Sequence, residues 1–190
     1  MRWFWIDRFV EFVSGERAAA IKNVTLDEEA IDEYVPWFPV FPTSLIIEGM
    51  AQCGGLLVGE HNSFRERVVL AKIGKATFHF PARPGDTLVY TTEIEDIRND
   101  GAICRAVSHV EDRVQAEAQL VFAHLDDRFE GVDLFLPSDF LRMMRMLGLY
   151  DVGRMPDGRP LTIPPHLLKA ELADLEGLAG KGPSETLTIK

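Results

Sequence analysis

Apolar and polar residues alternate with two different periods along this chain, and the changes of period divide it into elements. Residues 8–13 and 18–24 alternate as strands do, on either side of Ser14-Gly15, which predicts an N-terminal hairpin. Four further strands with turn residues between them are predicted at 69–80, 87–97, 102–111 and 114–125. Because the separators are short and rich in Pro, Gly, Asn and Asp, these four strands are predicted to form an antiparallel meander.

The segment 42–60 instead repeats its apolar residues at helical spacing. These residues recur at steps of three and four from Leu45 to Val58, and small residues fill much of the remainder. A helix that is so apolar and so small favours enclosure by other elements over a surface position. The fold class is therefore predicted to be α+β, with a curved antiparallel sheet wrapped around one long central helix.

The composition changes after Leu125, where two amphipathic helices are predicted at 137–149 and 167–178. The first of them presents one apolar face, formed by Phe140, Leu141, Met144 and Leu147. Residues 1–125 are therefore predicted to form one domain, and residues 126–190 a C-terminal helical extension.

Composition and charge limit the classes of molecule that this chain is expected to bind. Of the 190 residues, 46% are hydrophobic and 26% are charged, which is typical of a globular protein and excludes disorder. The formal net charge of −10 disfavours binding to a nucleic-acid backbone, and no apolar stretch is long enough to cross a membrane. Cys53 and Cys104 are too few for a disulfide framework or a thiolate zinc site. We therefore expect no nucleic acid, no membrane and no metal, and a reducing, cytoplasmic location.

The segment from Tyr34 to Gln52 reads YVPWFPVFPTSLIIEGMAQ and carries most of the chemical information. It resembles the active-site segment of the 3-hydroxyacyl-acyl-carrier-protein dehydratases, in which the pattern is His-Phe-Pro-Gly-x-Pro-x-x-Pro-Gly-x-x-x-x-Glu-x-x-Ala-Gln. The matching positions, aligned without a gap, are Pro36, Pro39, Pro42, Glu48, Ala51 and Gln52. The opening hairpin and the Pro84-Gly85-Asp86 turn also resemble this family, so the resemblance covers about residues 5–125.

The resemblance implies a hot-dog fold, a homodimer or an assembly of dimers, and a thioester substrate linked to an acyl carrier protein or to coenzyme A. No cofactor is implied. Glu48 matches the glutamate that helps the substrate hydroxyl depart, and the backbone N–H of Thr43 matches the donor that polarises the thioester carbonyl. The implied substrate-binding residues are Thr43, Gln52, Pro39 and Phe38.

The chain departs from the family pattern at Tyr34, which occupies the position of the family histidine. An imidazole titrates near pH 6.5 and can take a proton at neutral pH, whereas a phenol, with an ordinary pKa near 10, stays protonated. Three functions are open at this point. The first is an active dehydratase or hydratase with Glu48 as base and Tyr34 as acid. The second is a hot-dog thioesterase, and the third is a non-catalytic acyl-binding or partner subunit that lost its histidine base.

Two further features of the sequence bear on binding. Trp37 occupies the position of the first glycine of the motif and adds bulk at a tight loop. Arg65, Arg67 and Arg83 form either a solvated face or a set of cations for an acidic carrier protein on an otherwise acidic chain.

Overall fold

The computed structural model describes residues 4–34, 37–125 and 136–179. The strands of the described residues are β1 (Arg8–Val13), β2 (Arg17–Asn23), β3 (Arg67–Phe78), β4 (Thr87–Arg98), β5 (Gly101–Val110), β6 (Arg113–Leu125) and β7 (Gly153–Arg154). The helices are α1 (Glu29–Tyr34), α2 (Thr43–His61), α3 (Pro137–Met146), α4 (Leu149–Val152) and α5 (Pro165–Ala179). Every helix and strand predicted from the sequence is present, with bounds shifted by at most a few residues.

The seven strands form one sheet in the order β3-β6-β5-β4-β2-β1-β7. The predicted meander is correct for β4, β5 and β6 and wrong for β3, which pairs with β6 instead of β4. The physical reason is the link between β3 and β4, which is eight residues long and contains Pro81 and Pro84. Such a link is too long for a tight hairpin, and proline lacks the N–H that would extend a strand. As a result, β3 lies at one edge of the sheet.

The helix α2 lies against the inner face of the sheet and contacts β2, β3, β4, β5 and β6. Its inner side chains Ile46, Met50 and Leu57 are 0% exposed, which confirms the predicted enclosure. Glycine residues on α2 allow the sheet to approach the helix closely. A Cβ at Gly54 would lie 2.9 Å from Cγ2 of Thr92 in β4. The sheet therefore curves around a helix that has little room for larger side chains.

The C-terminal extension packs onto the β1 edge of the sheet. The N–H of Phe9 donates to the carbonyl of Leu147 at 2.8 Å, and β7 pairs in parallel with β1. The predicted apolar face of α3 is buried, since Leu141 and Met144 are 0% exposed. The strand β7 was not predicted, because two residues are too few to form a periodic pattern.

No helix in the described ranges is long and apolar enough to span a membrane. Cys53 and Cys104 are both buried, and both thiols are free.

Candidate active site

The proline-rich loop leads directly into the start of α2. The N–H of Phe41 donates to the carbonyl of Ala82 at 2.8 Å, which fixes the end of the loop against the link between β3 and β4. Pro42 is the N-cap residue, and no side chain caps the helix. The first amides of α2, those of Thr43 and Ser44, therefore have no capping side chain. Because the amides at a helix start carry partial positive charge, this end of α2 favours a developing negative charge.

Glu48 lies one turn further along α2 and is half-buried. Nε2 of Gln52 donates to Oε1 of Glu48 at 3.0 Å, as the spacing of four residues on a helix allows. Within the described part of the chain, no lysine, arginine or histidine forms an ion pair with Glu48. Glu48 thus accepts a hydrogen bond from a neutral donor and has no cationic partner among the described residues.

Gln52 is held in turn by the segment before β1. The main-chain N–H of Trp5 donates to Oε1 of Gln52 at 2.8 Å. The side-chain amide of Gln52 therefore contacts two different elements of the fold. Its Nε2 binds Glu48 on α2, and its Oε1 binds the N-terminal segment. This contact of Trp5 was not predictable from the sequence, because it uses a backbone atom that no side-chain pattern reports.

An ion cluster around the buried Lys22 precedes the short helix α1. Lys22 is 8% exposed, and its Nζ lies 2.8 Å from Oε1 of Glu28 and 3.6 Å from Oδ1 of Asp7. The same Glu28 carboxylate accepts the main-chain N–H of Thr25 at 3.2 Å, just before α1 begins. These contacts fix the start of the helix that ends at Tyr34. The side chain of Tyr34 lies outside the described residues, so its catalytic role stays a prediction.

The aromatic residues of the loop divide into buried and exposed ones. Phe41 is 1% exposed and packs in the core, whereas Trp37 is 101% exposed and Phe38 is 50% exposed. The backbone of Trp37 has φ of 69°, a left-handed conformation that glycine, the residue of the resembled motif at this position, adopts without strain. The guanidinium of Arg83 lies 5.0 Å from the centre of the Phe38 ring. Phe38 and Arg83 therefore form one exposed surface beside the start of α2.

The three predicted cations do not surround this loop. Arg83 lies at the loop, next to Phe38. Arg65 and Arg67 follow the opposite end of α2, whose 19 residues span about 28 Å. Within one chain, only Arg83 of the three is thus placed beside the candidate site.

Two buried titratable groups at α2, Cys53 and Tyr90, are poor candidates for catalysis. Burial raises the pKa of the Cys53 thiol to about 12, so this residue stays protonated at neutral pH. Burial also raises the pKa of Tyr90, and the nearby charges of Asp7 and Glu28 raise it further. No cluster of three or more His, Cys, Asp or Glu side chains suited to a metal occurs in the described ranges.

Comparison with known proteins identifies a family for most of this chain. A family model described as a FabA-like domain matches residues 3–123. One curated relative, the 3-hydroxyacyl-[acyl-carrier-protein] dehydratase FabZ of Symbiobacterium thermophilum, is 38% identical over 122 residues. That alignment covers 64% of this chain and 86% of the relative.

Solved structures share the fold at low sequence identity. The dehydratase heterocomplex ApeI:P of Xenorhabdus doucetiae has a chain that matches with a TM-score of 0.55 and 15% identity, over 65% of this chain and 84% of that one. A hypothetical thioesterase with coenzyme A from Streptococcus pneumoniae matches with a TM-score of 0.51 and 10% identity. That match covers 62% of this chain and 86% of the other. The hot-dog fold expected from the sequence is confirmed.

Proposed function

Because this chain belongs to the FabA-like family, we propose that it is a dehydratase-like enzyme that acts on a 3-hydroxyacyl thioester in fatty-acid or related acyl-chain metabolism. In this reaction the substrate loses a proton from C2 and its hydroxyl group from C3, which gives a 2-enoyl thioester and water. The observation that carries the proposal is the Glu48 carboxylate, half-buried on α2, bound by Gln52 and close in sequence to the uncapped helix start.

The start of α2 supplies the electrostatic part of the mechanism. Removal of the C2 proton places negative charge on the thioester oxygen, and the amide of Thr43 is the donor proposed to stabilise it. The substrate carbonyl would then lie at the N-terminus of α2, where the helix dipole adds to the effect. Pro39 and Phe38, in the loop before this helix, are proposed to contact the acyl portion of the substrate.

Proton transfer is assigned to two side chains. Glu48 is the proposed base that takes the C2 proton, because it is a carboxylate without a cationic partner among the described residues. Tyr34 is the proposed acid that protonates the departing hydroxyl, since a phenol at neutral pH carries the proton that this step requires. In this assignment Tyr34, a proton donor, occupies the position of the family histidine, and Glu48 abstracts the C2 proton.

An acyl carrier protein is the proposed source of the substrate. Such a carrier is acidic, and Arg83 with the exposed ring of Phe38 offers it a cation and an apolar surface next to the proposed site. The fully exposed Trp37 lies on the same loop. A cytoplasmic location agrees with the two free thiols, Cys53 and Cys104.

A homodimer is proposed from the exposed edge of the sheet. Among the described strands, β3 has only β6 as a neighbour in the sheet, and residues 71–76 are exposed on both faces of β3. An open edge of this length normally pairs or is covered.

Replacing Ile73, which is 45% exposed, with Asp should convert the dimer to a monomer in light scattering, whereas Leu172→Asp on α5 should leave it dimeric. A dimer that survives Ile73→Asp would contradict the proposed edge.

The proposed reaction is tested with a panel of thioesters. Purified protein is incubated with 3-hydroxyacyl, 2-enoyl and saturated acyl thioesters, each on acyl carrier protein and on coenzyme A. We expect interconversion of the first two, with a higher kcat/KM for the carrier-linked forms that decreases as salt is added. Absence of interconversion under all conditions would contradict the dehydratase proposal.

A thioesterase is the second candidate, because the same Glu48 carboxylate is placed to activate water. Release of free thiol from saturated acyl thioesters in the panel, without enoyl formation, would favour it. Tight binding of the thioesters without any turnover would instead favour a non-catalytic acyl-binding or partner subunit.

A further inference from the structure

The C-terminal extension covers the outer side of β1, which lies at the end of the sheet opposite β3. The main-chain N–H of Phe9 donates to the carbonyl of Leu147 at 2.8 Å. Just after β1 ends, the N–H of Ser14 donates to the carbonyl of Arg154 at 2.9 Å. Between these two bonds, β1 pairs in parallel with β7. The extension therefore supplies main-chain partners at both ends of β1 and between them.

Close packing holds the extension against β1. Phe9 is 1% exposed and Phe12 is 0% exposed, and their rings meet edge to face with 5.4 Å between centres. They belong to the same buried core as Leu149 and Leu161 of the extension. Gly153, the first residue of β7, has no room for a side chain, because a Cβ there would lie 2.7 Å from the carbonyl oxygen of Leu149. The pairing of β7 with β1 thus depends on glycine at this position.

Covering this edge changes how copies of the chain can associate. A strand with unpaired main-chain groups can accept an edge strand of another molecule. If the outer side of β1 were open as well as β3, then β3 of one copy could pair with β1 of the next. Such a contact joins two different surfaces, so it leaves one β1 and one β3 free and can continue beyond two copies. Pairing between two β3 edges joins identical surfaces and stops at two copies.

We propose that residues 147–161, here called the edge cap, confine self-association to the β3 edge by occupying the side of β1 where β3 of a second copy would otherwise bind. The inference rests on the proposed homodimer, because it concerns why assembly stops at two chains. The edge cap lies beyond residues 3–123, which the FabA-like model matches. It is therefore additional to the part of the chain on which the family assignment rests.

Gly153→Val tests the edge cap, since the added side chain would displace β7 from β1. Sedimentation velocity measures the size of the particles, and hydrogen exchange of the Phe9 and Ser14 amides reports whether β1 is uncovered. We expect species larger than dimers, whose share increases with protein concentration, and exchange of both amides about tenfold faster. Gly177→Val is the matched control, because a Cβ at Gly177 on α5 would meet open space. This variant should stay dimeric.

A double variant identifies what binds to the uncovered β1. If β3 of a second copy is the occupant, adding Ile73→Asp to Gly153→Val should leave only monomers, since neither the β3–β3 contact nor the β3–β1 contact can then form. Association that persists in the double variant would contradict β3 as the occupant and would indicate pairing between two β1 edges.

The outcomes separate the edge cap from the proposed homodimer. Faster exchange at Phe9 in a Gly153→Val protein that remains dimeric overturns the edge cap, and unchanged exchange contradicts the packing from which it is inferred. A dimer that survives Ile73→Asp alone contradicts the proposed homodimer edge, and the size of Gly153→Val still decides the edge cap. If Gly153→Val does not fold, the same measurements are made on Leu161→Ala, which removes a side chain packed against Gly153 without adding bulk.

Discussion

Glu48→Gln should lower the kcat for enoyl thioester formation by about 10³-fold, because an amide cannot take the C2 proton. Its fold should be retained. Glutamine has the same shape as glutamate, and its amide oxygen can still accept the hydrogen bond that Nε2 of Gln52 now donates at 3.0 Å. Stopped-time assays with a 3-hydroxyacyl thioester measure the rate, and thermal unfolding measures the fold. We expect Tm to stay within about 2 °C of the original protein.

Glu66→Gln provides the matched control, since Glu66 also accepts a hydrogen bond from a side-chain amide, that of Asn62 at 2.7 Å. It lies beyond the opposite end of α2 and should leave kcat unchanged. Undiminished turnover by Glu48→Gln would remove Glu48 from the mechanism. A loss of the same size in both variants would show that the loss at Glu48 does not report a role in proton transfer.

Gly49→Ala should destabilise the protein by about 2–3 kcal/mol, as expected for overpacking of a closed interior. A Cβ at this position would overlap Cε2 of Tyr90 and would lie 2.7 Å from the carbonyl oxygen of Trp5. Tyr90 is 0% exposed, and the Trp5 oxygen belongs to the backbone, so neither can move away easily. The higher helix propensity of alanine offsets only about 1 kcal/mol. Urea unfolding followed by circular dichroism measures the loss.

Gly55→Ala on the same helix is the matched control. A Cβ at Gly55 would lie 3.5 Å from the ring of Phe122, which is an ordinary contact. The substitution should therefore raise the free energy of unfolding by up to about 1 kcal/mol through helix propensity alone. Equal effects at the two glycines would contradict the close approach of the Trp5 carbonyl and of Tyr90 to α2.

Local sequence patterns were sufficient for the individual elements and insufficient for the strand order. The hairpin, the central helix and the later strands were predictable, because each has its own hydrophobic period and turn residues. The position of β3 was not predictable, because its pairing with β6 depends on long-range contacts. The link between β3 and β4 contains turn residues, but it does not form a tight turn. The two-residue β7 is too short for any periodicity.

Part of the geometry of the candidate site follows from helix spacing. Residues four apart on a helix are neighbours, and Nε2 of Gln52 donates to Oε1 of Glu48 on α2. The contribution of Trp5 was not predictable, because it is made by a backbone N–H far away in sequence. Likewise, the need for glycine at residue 49 depends on Tyr90 and Trp5, which approach α2 only in the folded chain.

A crystal structure with a non-reactive 3-hydroxyacyl thioester analogue would show where the substrate lies relative to Glu48. We expect one carboxylate oxygen of Glu48 within about 3.5 Å of the carbon that corresponds to C2, and the thioester oxygen within hydrogen-bond distance of the Thr43 amide. An analogue bound elsewhere, with Glu48 turned away from its acyl chain, would contradict the assignment of this carboxylate to the reaction.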